Sequence, residues 1–193
     1  MAVYWKAVIS DTATGKVVRK TRKYRARSFH NAFLKLATYY LFGQTTAPTL
    51  NDIDSVSRTV STSRPVHTST VVGHGLETEG IICGTSAAAV DATDDYLTTP
   101  IVDGVGSGQL SYGNNTTTTG SVASGTSITS FDVVRPIANS SGGSITVVEI
   151  GLIMSVSISA SARGFMYLRD LTGGVDVGDG QTLTITYSIT TVA

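Results

Sequence analysis

The sequence predicts a mainly β protein: an antiparallel β-sandwich or jelly-roll-like body, one α-helix at about residues 28–42, and an N-terminal basic β-hairpin. Three observations carry this. Charged residues are only 15% of the chain, while Ser, Thr, Gly and Val are abundant. That composition suits strands with polar turns and not a disordered tail. Several segments alternate apolar and polar residues with a period of two, and clusters of Gly, Asn and Asp separate them. Many short strands divided by such turns are the pattern of an antiparallel sandwich or barrel.

Residues 3–10 alternate, with Val3, Trp5, Ala7 and Ile9 on one face. Asp11 to Gly15 is a loop of hairpin length. Residues 16–26 read as the return strand, but both faces carry charge. A strand with no clean apolar face belongs at an edge, in an arm, or beneath another molecule. The helix follows. Ser28 is a good N-cap; Phe29, Ala32, Phe33, Leu36 and Tyr40 form one helical stripe, and Gly43 sits where a helix ends. Residues 44–54 read as a polar linker, and 55–63 as a weakly alternating strand. Residues 78–86 are a short strand, and 87–108 a long excursion studded with Asp91, Asp94, Asp95 and Asp103.

Residues 109–113 and 127–138 are strands, and the Thr-rich stretch 113–129 is expected to be a mobile loop. In the strand 144–159 the set Thr146, Val148, Ile150, Leu152 and Met154 is assigned to the core. Strands at 164–171 and 182–192 close the chain. They are joined through the glycines at 173–174 and 178–180. In the last strand Leu183, Ile185, Tyr187 and Ile189 form the buried face. Residues 1–43 (hairpin and helix) and 44–193 (body) are expected to form one compact unit, and no internal repeat is visible.

Charge is sorted along the chain. Residues 1–35 hold nine of the fourteen Lys and Arg and one acid, giving +8. Residues 36–193 hold five basic residues and thirteen acids, giving −8. The net charge of zero therefore hides a basic arm on an acidic body, which is a statement about partners rather than fold. The arm residues Lys16, Arg19, Lys20, Arg22, Lys23, Arg25 and Arg27 are the expected contact set. Tyr4, Trp5, Tyr24 and Phe29 interleave with them, a combination also used to bind single-stranded nucleic acid.

Chemical motifs are weak. The stretch from Asp103 to Gly108 resembles a phosphate-binding glycine loop but lacks its Lys-Ser/Thr and opens no helix. His67, His74, Glu77 and Glu79 match no zinc spacing. Asp52, Asp54, Asp94, Asp95, Asp176 and Asp179 lie in no calcium loop. No metal and no cofactor is expected. Cys83 is the only cysteine; its apolar neighbours Ile81 and Ile82 predict an inert thiol. No nucleophile elbow is present, and the chain is expected not to be an enzyme. No apolar run reaches the ~18 residues of a membrane span, and the first residues do not read as a secretory signal.

Three stretches carry a resemblance. They are Ala138-Asn139-Ser140-Ser141-Gly142-Gly143 running into Ile145-Thr146-Val147-Val148-Glu149-Ile150-Gly151-Leu152, then Phe165-Met166-Tyr167-Leu168-Arg169-Asp170, then Gly178-Asp179-Gly180-Gln181-Thr182-Leu183. Over roughly residues 80–193 the chain resembles poorly characterised structural proteins of tailed bacteriophages. The resemblance implies a virion component, assembled in the host cytoplasm, with no active site. The expected function is a non-enzymatic structural subunit, in the tail or decorating the capsid surface. It would form a homo-oligomer and contact other virion proteins through the basic arm and sheet edges, with no membrane partner. Two alternatives stand beside it. One is a nucleic-acid-binding module using the arm. The other is a carbohydrate-binding host-recognition domain with Trp5, Tyr96, Tyr112 or Tyr167 as stacking platforms, although aromatic content is only 7%.

Overall fold

The computed structural model describes residues 2–26, 29–41, 46–60, 73–119, 128–158 and 161–192. The chain is mainly β, with antiparallel sheets and one helix. In order the elements are β1 (Ala2–Asp11), β2 (Val17–Lys20), β3 (Tyr24–Arg25), α1 (Asn31–Leu41), β4 (Thr49–Asn51), β5 (Ser57–Thr59), β6 (Gly80–Gly84), β7 (Ser111–Tyr112), β8 (Thr116–Thr119), β9 (Ile128–Asn139), β10 (Ile145–Ile158), β11 (Ser161–Val177) and β12 (Gln181–Val192).

The larger sheet runs β2-β1-β12-β9-β7, with β3 also on β1 and β8 also on β9. The N-terminal strand is therefore interior to the sheet. It pairs with β12 from Ala2↔Thr190 to Asp11↔Gln181. The period-two pattern is the cause: Val3, Trp5, Ala7 and Ile9 are buried, and so are Leu183, Ile185 and Tyr187 opposite them. The second sheet runs β11-β10-β6. The two sheets share one core, in which Trp5, Ala7, Leu183 and Ile185 meet Val147, Ile150 and Val175.

The second sheet is covered on its other face as well. There α1 packs on β11, with Phe33 edge-on to Tyr167 at 5.6 Å between ring centres. The excursion between β6 and β7 covers β10, where Leu97 lies against Gly151. Burial on both faces removes alternation, so residues 149–153 and 164–170 are buried without a break.

Several expectations need correction. The return strand 16–26 is two short edge strands, because among the described residues each pairs only with β1. The helix begins at Asn31, and His30 is its cap position: the His30 carbonyl accepts the Leu34 N–H at 3.3 Å. Ser28 and Gly43 lie outside the described residues. The supposed linker 44–54 contains β4, which pairs with β5 around a turn built on buried Asp52. The Asp52 carboxylate accepts the N–H groups of Asp54 and Val56 and the Arg58 guanidinium, which organises the turn from within.

The Thr-rich stretch is not all loop. Thr116 to Thr119 pair with Val134 to Phe131 of β9, and Asn115 is buried. In β10 the core face is the reverse of the expected one at its start: Ile145 and Val147 are buried and Thr146 is exposed. Register shifts between Val147 and Glu149 and between Leu152 and Ile153 then turn the strand, so one parity does not hold along it. Gly173 and Gly174, both at positive φ, lie inside β11 and not in a turn. The reversal into β12 is made at Gly178 to Gly180.

Candidate partner interface

The expected contact residues line one edge of the larger sheet. All four residues of β2 are exposed, including Arg19 and Lys20. Lys16, Arg22, Lys23 and Arg25 are exposed too, and Arg27 lies outside the described residues. Two of the cations rest on rings: the Arg22 guanidinium lies 4.9 Å from the centre of Tyr24 and the Lys23 ammonium 4.5 Å from that of Tyr4. Tyr24 in turn stacks on buried Trp5 at 4.6 Å. The aromatic residues thus anchor the charged edge to the core, each such contact worth about 0.5–1 kcal/mol at an exposed site. Lys and Arg on an edge strand also discourage uncontrolled strand addition. Val17 and Val18 stand out among them, 44% and 57% exposed.

The body's charge is partly consumed internally. Arg169 on β11 is fully buried and pairs with Glu149 of β10 and Asp94 of the excursion, both at 2.7 Å. It also donates to the carbonyls of Ala88 and Ala89 and to the Thr98 hydroxyl. Glu149 accepts the Thr99 N–H at 3.0 Å. This cluster staples residues 88–99 onto the second sheet.

His30 is buried beside it, with both ring nitrogens lacking a hydrogen-bond partner among the described residues. Loss of hydration lowers its pKa below the ordinary value, against the opposing attraction of Asp94. Asp52 is paired with Arg58 at 2.8 Å. Burial works against its carboxylate, but the hydrogen bonds from Arg58, Val56 and Asp54 prevail and hold its pKa low.

Arg135 is the second buried guanidinium. It lies on β9 in register with Ile185, which is opposite Ala7, so its side chain enters the core side of the sheet. It donates to the carbonyls of Gly73, Leu76, Glu79, Ile81 and Gly113, and lies 4.8 Å from the Tyr112 ring centre. A fork of five N–H donors suits a convergence of carbonyls. Burial lowers its pKa, offset by Tyr112, Cys83 and Asp103. Its effect is to tie residues 73–81 beside β7 and β9.

No group of three or more metal-ligating side chains exists among the described residues. His67 lies outside them, His74 is exposed, and Glu77 accepts the Asp103 N–H at 2.8 Å. Asp94 is taken by Arg169, and Asp179 accepts the Gly142 N–H at 2.9 Å. The glycine-rich stretch 103–108 is closed by Gln109, whose side chain accepts the Gly106 N–H, and no helix follows it. Cys83 is fully buried, and loss of hydration pushes its thiol pKa up. Trp5, Tyr112 and Tyr167 are buried, so three of the four rings considered for carbohydrate stacking are not surface platforms. Tyr96 is half-buried, with its hydroxyl bonded to the Glu77 carbonyl. A cavity of about 170 Å³ lies between α1, β4 and the Ala92–Asp95 loop, with Lys35, Asp94 and Asp95 in its lining.

No helix of the described residues is long and apolar enough to cross a membrane. Comparison with family models, with curated proteins and with solved structures finds no match to this chain.

Proposed function

We propose that this chain is a non-enzymatic structural subunit of a tailed virus particle, in the tail or on the head surface, that self-assembles through its basic N-terminal edge. The observation that supports this is the exposed β2–β3 edge. Six described cations line it, and none forms an ion pair among the described residues. Cations held in place on rings at a sheet edge are arranged to meet acid, and opposite charge sets on-rate and register more than affinity. The buried Arg169 and Arg135 clusters fit a scaffold role: their hydrogen-bonding capacity is spent on the fold.

A nucleic-acid partner for the same edge is the reading to separate from this one. Against it stands the use of Tyr24 and Tyr4, which are covered by Arg22 and Lys23 and by Trp5 and so are not open stacking platforms. The test is light scattering on a sizing column at low and high salt, with and without nuclease. Self-assembly predicts a nuclease-resistant oligomer that Arg22→Glu with Lys23→Glu dissociates. A monomer that carries nucleic acid until nuclease is added would replace this reading with the second.

A further inference from the structure

The strand order of the larger sheet separates opposite charges. At one edge are β2 and β3 with Lys16, Arg19, Lys20, Arg22, Lys23 and Arg25. At the other are β7 and β8. Asp103 borders β7 by accepting the Tyr112 N–H at 2.9 Å, and Gly75 donates to the Tyr112 carbonyl at 2.8 Å. Arg135 holds the Glu79 carbonyl against β9 at 3.1 Å, and Glu77 accepts the Asp103 N–H. Asp132 on β9 lies opposite Thr118 of β8. Glu77, Glu79 and Asp103 therefore border this edge, and Asp132 lies one strand in from it. Between Arg64 and Arg135 the sequence has seven acids and no Lys or Arg. None of these four carboxylates is in a salt bridge among the described residues.

Magnitude decides what the two edges can do. Four strand spacings separate β2 from β7, roughly 20 Å at about 4.8 Å each. Charges that far apart are screened, because the Debye length at physiological ionic strength is about 8 Å. The basic edge cannot be neutralised by its own acidic edge. A two-fold pairing of basic edge on basic edge would set cation against cation.

We infer that copies of this chain associate head to tail, the β2–β3 edge of one docking on the β7–β8 edge of the next. This deepens the self-assembly reading above and rests on it. Such a contact is heterologous: it leaves one free edge of each kind at the ends, so it grows until the rotation closes a ring, or continues as a filament. The exposed Val17 and Val18 are the apolar surface it would cover.

The experiment uses two full-length variants. The first reverses the basic edge, Arg22→Glu with Lys23→Glu. The second reverses the acidic edge, Glu79→Lys with Asp132→Lys, and Glu79→Gln with Asp132→Asn replaces it if circular dichroism shows a loss of folding. Each alone should be monomeric by light scattering where the unaltered chain assembles. Mixed in equal amounts, they should associate again, because the unaltered basic edge of the second meets the unaltered acidic edge of the first. The neutral acidic-edge variant should weaken assembly at least tenfold in midpoint concentration. If the mixture stays monomeric, or the acidic-edge variants assemble as the unaltered chain does, the head-to-tail pairing is wrong while self-assembly through the arm stands. If the unaltered chain is monomeric at every salt concentration, both readings fall together.

Discussion

Arg169 on β11 and Glu149 on β10 form an ion pair of 2.7 Å in which neither side chain is exposed. Two fully buried charges are stable only because each is multiply bonded: Arg169 also holds Asp94, Thr98 and two carbonyls, and Glu149 also accepts the N–H of Thr99. The pair sits where the excursion meets the second sheet, so its integrity fixes a segment with almost no regular structure of its own.

Replacing Arg169 with Met should therefore destabilise strongly. The substitution fills most of the volume but leaves Glu149 buried without a counter-charge, which costs about 3–5 kcal/mol. Urea unfolding monitored by circular dichroism measures it. A loss below about 1 kcal/mol would mean that water reaches Glu149.

Gly84→Ala should be costly for a steric reason. A methyl group at Gly84 would lie 2.6 Å from the Thr99 carbonyl oxygen and would also strike the Glu149 carboxylate. Backbone on one side and a buried ion pair on the other cannot both yield. Overpacking of this kind costs about 1–3 kcal/mol. Gly143, with nothing within 4 Å of the same position, is the control, and Gly143→Ala should leave the urea midpoint nearly unchanged.

Stability should fall as pH drops below about 6.5, the ordinary His value. Burial depresses the His30 pKa in the folded state. The unfolded chain then binds a proton that the folded chain resists, so stability is full above the unfolded pKa and declines as pH falls toward the folded one. The groups facing His30 are Asp94 and Asp91, which favour the charged ring, and Arg169, which opposes it. Urea midpoints taken from neutral pH down to about pH 5 should decline. The decline should be smaller in His30→Leu. An equal slope in both proteins would assign the effect to other groups.

Cys83 should be unreactive toward a thiol reagent in the native protein and fully reactive once unfolded. It is buried, and loss of hydration keeps its thiol protonated well above neutral pH. Labelling with and without concentrated guanidinium tests this. Rapid native labelling would show that β6 opens readily.

The legible parts of the fold were those with one dry and one wet face. In β1 and β12 each strand faces the core on one side only, so period-two alternation survives in the sequence and predicts both. The apolar stripe predicts the helix, but its start lies at Asn31, later than the stripe implies. The order of Asn31 depends on a bond from its N–H to the Ala92 carbonyl, far away in sequence. β8 was hidden because four threonines have no alternation; the partner strand, β9, makes them a strand. Ile150 and Leu152 of β10 are buried as the alternation predicts, but at the strand's start Ile145 and Val147 take the core face, because the strand changes parity at the register shift between Val147 and Glu149. Local pattern does not mark Arg135, Arg169 and Glu149 as the buried anchors they are. One signal is present in the sequence: Glu149 is a lone charge within an apolar run, and Arg169 with Asp170 interrupts another, a pattern that calls for buried partners.

The sequence alone determined the β-rich class, the single helix, and the division of charge between the first 35 residues and the rest, since composition and local periodicity are properties of the chain itself. Tertiary structure alone decided which acids are spent in the interior, which rings are buried, and that the basic residues stand at one edge of a sheet with acids outside any salt bridge of the described residues toward the other. Those facts depend on strand order and on contacts between residues distant in sequence. Pairing, and not propensity, sets them.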